Sequence, residues 1–176
     1  MKVKGGLGKG AYGQVEMAVH MATGTKLAVK KIDKRSIANK KIRATLMREV
    51  EIHQRLNHEN IIRLFTWCED SDFLYLILEY AEGGNLFFYI RNTRKRLTEQ
   101  ETHRYFYQTC SGIDFLHRNG LIHRDIKPEN LLLSPILGGE DFCLKICDFG
   151  WCVESDEPRS TFCGTLEYMA PEMLQN

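Results

Sequence analysis

The chain has 176 residues, with 24 basic against 23 acidic and a formal charge of +1. That length suits one domain burying roughly 70% of its unfolded surface, or part of a larger one. The balanced charge gives no electrostatic reason for a nucleic-acid or membrane partner. No apolar run approaches the ~20 residues of a membrane span, and the start Met1-Lys2-Val3-Lys4-Gly5 lacks a signal-peptide core. The six cysteines, at 68, 110, 143, 147, 152 and 163, form no Cys-x-x-Cys pair and have no histidines at zinc-finger spacing. They read as reduced thiols of an intracellular protein.

Residues 5–32 are predicted to be β-structure around a glycine loop. Gly8, Gly10 and Gly13 fit Gly-x-Gly-x-x-Gly, a pattern shared with dinucleotide folds. Val15, Met17 and Val19 then alternate as a strand, Thr23-Gly24-Thr25 turns, and Leu27-Ala28-Val29-Lys30 forms a second strand. A Rossmann unit needs a helix directly after its glycines, and a Walker loop needs Gly-Lys-Ser/Thr, so both are disfavoured. Glycines capping a hairpin let backbone amides settle over phosphates with no Cβ in the way; a plain β-turn is the alternative.

A helix is predicted from about 38 to 56, with Glu49 on the face of Leu46, His53 and Leu56. A carboxylate on an apolar face calls for a cation, since an unpaired buried charge costs several kcal/mol. Lys30 is the candidate partner, and a solvated i,i+4 surface charge is the alternative. Glu51 shares a face with Met47 and Arg55 and reads as solvated. Residues 57–60 break the helix. Strands are expected at 61–65 and 73–78 with an acidic turn at 69–72, giving five strands and one helix so far.

Residues 79–84 shift towards Gly and polar side chains, as a hinge would, and Asn85 is placed to cap a short helix to about Thr93. Thr98-Glu99-Gln100-Glu101 is a capping box. The helix it opens stops at Asn119-Gly120, with Phe106, Cys110, Ile113 and His117 read as its core stripe. Leu121-Ile122 enters a loop, Leu131-Leu132-Leu133 leaves it as a strand, and residues 134–141 form a hairpin tip before Leu144 and Ile146.

That loop is His123-Arg124-Asp125-Ile126-Lys127-Pro128-Glu129-Asn130. Asp125 can accept or orient a proton on an attacking hydroxyl, Lys127 can hold a phosphate oxygen, and the Asn130 amide oxygen is a hard ligand suited to Mg²⁺. Eighteen residues after Asn130, Asp148-Phe149-Gly150 adds a second hard carboxylate. The two ligands are thus presented from the two arms of one hairpin.

With Ala170-Pro171-Glu172, these motifs stand in the order of the protein-kinase family, which the sequence resembles over essentially its whole length. Lys127 and Gly164-Thr165 resemble the serine/threonine kinases rather than the tyrosine kinases. Asp148-Phe149-Gly150-Trp151, Thr161-Phe162-Cys163-Gly164-Thr165-Leu166-Glu167-Tyr168 and the polar His53 resemble the Aurora kinases. The resemblance implies an α+β, two-lobed fold. Its β-rich N-lobe would span 1–78 and its hinge 79–84, with a mainly helical C-lobe over 85–176 that is partial after Ala-Pro-Glu.

It also implies transfer of the ATP γ-phosphoryl group to Ser or Thr hydroxyls of proteins, in a mitotic, cell-cycle or cytoskeletal role. Asp125 would orient the hydroxyl, Lys127 would stabilise the transferring group, and Asn130 and Asp148 would hold Mg²⁺. Lys30, held by Glu49, would position the α/β-phosphates. The nucleotide set would further include Leu7, Gly8, Gly10 and Gly13, the adenine-flanking Val15, Ala28 and Leu132, the hinge residues Glu79, Tyr80 and Ala81, and Glu129; Leu78 would be the gatekeeper. Glu129 would favour basic residues before the target hydroxyl. Arg124 would receive a phosphate on Thr161, either that or a structural salt bridge. Expected partners are protein substrates and an activating protein, without nucleic acid or membrane. The expected location is cytoplasm, nucleus, spindle or centrosome.

Three features depart from the family pattern. Asn85 replaces an acidic residue, the 134–141 loop is longer than in Auroras, and the chain stops four residues after Glu172, where further helices would follow. A fragment of an active kinase is therefore expected. The alternatives are an inactive nucleotide-binding or scaffold fragment and a calcium/calmodulin-type kinase.

Overall fold

The computed structural model describes all residues except 10–12, 94–95, 137, 139–140, 151, 155–163 and 175–176. The chain is α+β and divides into two compact units, Met1–Asn57 with Arg63–Tyr80, and His58–Ile62 with Ala81–Asn176.

Among the described residues, the first unit is an antiparallel sheet in the order β1-β2-β3-β5-β4 with one helix, α1. The strands are β1 (Lys2–Lys9), β2 (Gly13–Val19), β3 (Lys26–Asp33), β4 (Leu64–Glu69) and β5 (Phe73–Glu79). Alternation sorts β3 and β5 into two faces. Ile32, Leu74 and Leu76 join Ile37, Leu64 and the α1 residues Leu46 and Val50 in one core, while Leu27, Val29 and Ile77 join Ala18 in another. Helix α1 (Lys40–Arg55) starts at Asn39, whose side chain accepts a 2.9 Å hydrogen bond from the Lys41 N–H.

β4 begins at Leu64, not at 61 as expected. Ile61 and Ile62 are drawn into the second unit, where the Ile62 N–H donates to the Ile146 carbonyl at 2.9 Å. The Ile62 N–H is thereby committed to another strand, while the Ile61 N–H turns back to the His58 carbonyl at 3.1 Å.

The second unit holds α2 (Leu86–Thr93), α3 (Glu99–Arg118), β6 (Leu121–Ile122), β7 (Leu131–Pro135), β8 (Phe142–Ile146), β9 (Val153–Glu154) and α4 (Pro171–Leu174). β7 and β8 form a hairpin, and β6 pairs with β9. Asn85 caps α2 by accepting from the Phe88 N–H at 2.9 Å. α3 opens with the capping box of Thr98 and Glu101. Its predicted core stripe is wrong by about one residue: Tyr105, Gly112 and Leu116 are buried, whereas Phe106 is 70% exposed and Cys110 and His117 are also exposed. The buried face runs through a glycine, which carries no hydrophobic signal but lets the helix approach β8 closely. No helix among the described residues is long and apolar enough to cross a membrane, and Cys68 and Cys110 are exposed thiols.

Candidate active site

The loop between β6 and β7 gathers its polar groups through a few buried contacts. His123, 3% exposed, accepts from the Asp125 N–H at its Nδ1 over 3.3 Å. Its proton therefore sits on Nε2, which donates to the Cys147 carbonyl at 3.0 Å. Burial pulls this imidazole below the ordinary histidine pKa, keeping it neutral. The ring meets Phe149 edge-on, with centroids 5.3 Å apart. One neutral histidine thus joins the loop to the segment carrying Asp148.

Asp125 is 6% exposed. Its Oδ2 accepts from Lys127 Nζ at 2.8 Å and from Asn130 Nδ2 at 2.9 Å, and its Oδ1 accepts from the Thr165 hydroxyl at 2.7 Å. The Thr165 oxygen in turn accepts from Lys127 Nζ at 2.6 Å, closing a triangle. Burial pushes the Asp125 carboxyl up, but the Lys127 and Thr165 hydrogen bonds, the Lys127 charge and the Asn130 amide outweigh it, and the pKa lies below the usual carboxylate value. Thr165 reaches this position because Gly164 passes so close to the loop that a Cβ on it would fall 2.7 Å from the Arg124 carbonyl. A small concavity lined by Arg124, Asp125, Thr165, Tyr168, Met169 and Met173 opens beside the carboxylate.

The Asn130 amide nitrogen donates to both the backbone carbonyl and the carboxylate of Asp125, at 2.9 Å each. Two acceptors require the NH₂ on that side, so the amide oxygen faces away from Asp125. The Asn130 carbonyl accepts from the Cys147 N–H at 2.9 Å, tying the loop to the residue before Asp148. Asp148 is exposed, with φ 63°, and Arg124 has φ 65°. Both are left-handed conformations that a non-glycine residue adopts only when its neighbours over-determine them. Glu129 has one buried carboxylate oxygen with no hydrogen-bond partner among the described residues.

The remaining predicted residues lie as follows. In the first unit Gly8 pairs with Val15, and Gly13 with Ile32, while Leu7 is exposed. Val15 and Leu76 flank Lys30 across the ladder. Leu76 belongs to the core beneath α1, and directly opposed residues share a face, so Lys30 stands on the α1 side of the sheet. Glu49 is half-buried on α1 between the buried Leu46 and Val50; Glu51 is exposed. Ala28 is buried and pairs with Leu78. The Glu79 N–H donates to the Arg63 carbonyl at 2.9 Å, and Tyr80 is half-buried. In the second unit the Ala81 carbonyl accepts from the Gly84 N–H at 3.2 Å, and Leu132 bridges to Asn85. Gly10, Thr161 and Cys163 lie outside the described residues.

The structure thus brings Asp125, Lys127 and Asn130 together and ties Asp148 to them through Cys147. Two residues that local patterning did not single out for roles complete the arrangement. Thr165 acts across 40 positions and His123 across 24.

Comparison with known proteins agrees with this geometry. The family model of the protein kinase domain matches residues 1–176. The chain is 43% identical over 171 residues to an Aurora kinase of Encephalitozoon cuniculi, covering 97% of this chain and 61% of that protein. It is 41% identical over 170 residues to an Aurora kinase of Schizosaccharomyces pombe, covering 96% and 46%. With Aurora kinase B of Drosophila melanogaster it shares 38% over 170 residues, covering 96% and 50%. The chain spans about half the length of these curated relatives. A match along all 176 residues, on a chain whose loop carries this network, means that the chain belongs to the protein kinase family, with its likeness running to the Aurora kinases.

Proposed function

We propose that the chain is the catalytic part of an Aurora-like serine/threonine protein kinase, transferring the γ-phosphoryl group of ATP to Ser or Thr hydroxyls of proteins. The observation that carries this reading is Asp125, ionised and held by Lys127, Thr165 and Asn130 beside an open concavity. A carboxylate so held accepts the hydrogen bond of an incoming hydroxyl and aims its lone pair at phosphorus. The new P–O bond forms as the bond to the β-phosphate oxygen breaks, and the hydroxyl proton passes to Asp125. Lys127 keeps a third N–H for a phosphoryl oxygen. Positioning and charge neutralisation do most of the work in such transfers.

The protein kinase family generally uses ATP and Mg²⁺. The residues present fit the ion: the Asn130 amide oxygen and the exposed Asp148 carboxylate are hard donors, and the Asn130 nitrogen is already committed to Asp125. Bound there, Mg²⁺ would supply neutralisation of phosphate charge. Lys30, on the α1 side of the sheet, is assigned to the α/β-phosphates with Glu49 as its support. The resemblance alone assigns Leu7, Gly8, Gly10, Gly13, Val15, Ala28 and Leu132, with the backbone at Glu79, Tyr80 and Ala81, to the nucleotide. The unpartnered oxygen of Glu129 suits a ribose hydroxyl or a basic substrate residue. Arg124 as receptor for a phosphate on Thr161, an activating protein partner and a mitotic or cytoskeletal role are proposed on the Aurora likeness.

The test is transfer of labelled γ-phosphate from Mg–ATP to matched peptides bearing Ser, Thr or Tyr. Labelling of Ser and Thr but not Tyr supports the proposal. Saturable ATP binding with no transfer to any of the three would show a nucleotide-binding module instead.

A further inference from the structure

We infer that Asn60 and Gln108 are positioning residues for Asp148, acting through strand β8; this rests on the kinase reading above. One edge of β8 is paired with β7. The other edge is closed by the 60–62 segment, where Ile61 bridges to Ile146, and by two side chains. Gln108 Oε1 accepts from the Leu144 N–H at 2.8 Å, and Asn60 Nδ2 donates to the Leu144 carbonyl at 2.9 Å. The Ile146 N–H donates to the Asn60 carbonyl, and the Ile146 carbonyl accepts from the Ile62 N–H, both at 2.9 Å. Leu144 and Ile146 therefore have every outward backbone group satisfied, half of them by two side chains.

These two side chains belong to a built seat. Asn60 is 1% exposed, and its segment is anchored on α3 by His58 stacked on Phe115 at 4.8 Å. Gly112 lies one turn after Gln108, on the same face of α3. A Cβ there would fall 2.8 Å from Ile146 Cδ1 and 3.0 Å from the Asn60 carbonyl. Gln108 thus supplies the acceptor while Gly112 supplies the space.

The consequence falls two residues further on. Cys147 is held at both backbone groups by Asn130 and His123, and Asp148 then takes its left-handed φ of 63°. Such a conformation persists only while the chain on each side over-determines it. Phe149 is buried on one side, and the closed edge of β8 secures the other. Loosening that edge lets Asp148 relax away from the place where it would meet a metal ion with Asn130.

The test uses the full-length protein, with Mn²⁺ as probe in the presence of a non-hydrolysable ATP analogue, read by electron paramagnetic resonance. Gln108→Ala and Asn60→Ala are expected to weaken Mn²⁺ binding about fivefold, the worth of one hydrogen bond. Binding of the analogue without metal should be unchanged. Gln108→Glu keeps an oxygen acceptor for the Leu144 N–H and should restore the affinity, and it tests the inference even where an alanine variant folds poorly. Arg118→Ala on the exposed face of α3 should change nothing. Full Mn²⁺ affinity in a folded Gln108→Ala, or no difference between the Ala and Glu variants, overturns the inference while leaving the kinase reading intact. A wild-type protein that holds neither the analogue nor Mn²⁺ overturns both.

Discussion

Replacing Thr165 by Val removes a hydroxyl and leaves the shape of the side chain nearly unchanged, which isolates the triangle at Asp125. The hydroxyl makes two short bonds to charged groups, 2.7 Å to Asp125 Oδ1 and 2.6 Å from Lys127 Nζ. Charge-assisted hydrogen bonds contribute about 1.5–3 kcal/mol each. Thr165 is half-buried, so water replaces part of what is lost, and the net effect should be about 1.5–3 kcal/mol, or roughly 10- to 100-fold in kcat. Removing this bond also removes one of the interactions that lower the Asp125 pKa, so the acidic limb of the rate profile should move to higher pH. Thr165→Ser retains the hydroxyl and should stay near wild type in both respects. The assay is steady-state phosphoryl transfer to a Ser peptide from pH 5 to 9. Equal kcat values and superimposable pH profiles for the Val and Ser variants would refute the role given to Thr165.

Burial lowers the His123 pKa in the folded state, so the unfolded chain binds the extra proton first as pH falls through about 6.5. Stability should therefore drop on acidification below that value, and His123→Phe should flatten the slope of urea midpoint against pH; an unchanged slope would count against a neutral buried His123. Thr98→Ala breaks the capping box of α3 and should cost about 1 kcal/mol in chemical denaturation, with a cost below about 0.3 kcal/mol contradicting it. Leu46→Ala empties a site in the core beneath α1 and should cost about 2–5 kcal/mol, read as a lowered urea midpoint. A loss within about 0.5 kcal/mol would mean that α1 does not pack as described.

Strands β2, β3 and β5 were legible because period-2 alternation reports directly which side chains enter which face. α3 was legible in its ends, where the Thr98–Glu101 box and Gly120 are local chemistry, but not in its face. Phe106 looks like core and Gly112 looks like nothing, yet it is Gly112 that β8 packs against. The start of β4 was hidden for a related reason. Ile61 and Ile62 favour strands as much as Leu64 does, and what diverts them is hydrogen bonding to β8, some 84 residues along the chain.

The candidate site divides in the same way. Asp125, Lys127 and Asn130 stand within six residues and Asp148 follows a short hairpin, so a local reading gathers them. Thr165 and His123 act through contacts made only on folding, and no spacing rule reaches them.

The central claim is that Asp125 orients the hydroxyl that attacks. Single-turnover transfer from Mg–ATP by the wild type and by Asp125→Asn, with nucleotide affinity measured alongside, tests it most directly. The account predicts a fall of about 10²–10⁴ in the transfer rate with nucleotide affinity nearly unchanged. Transfer at an undiminished rate in the Asn variant would contradict it.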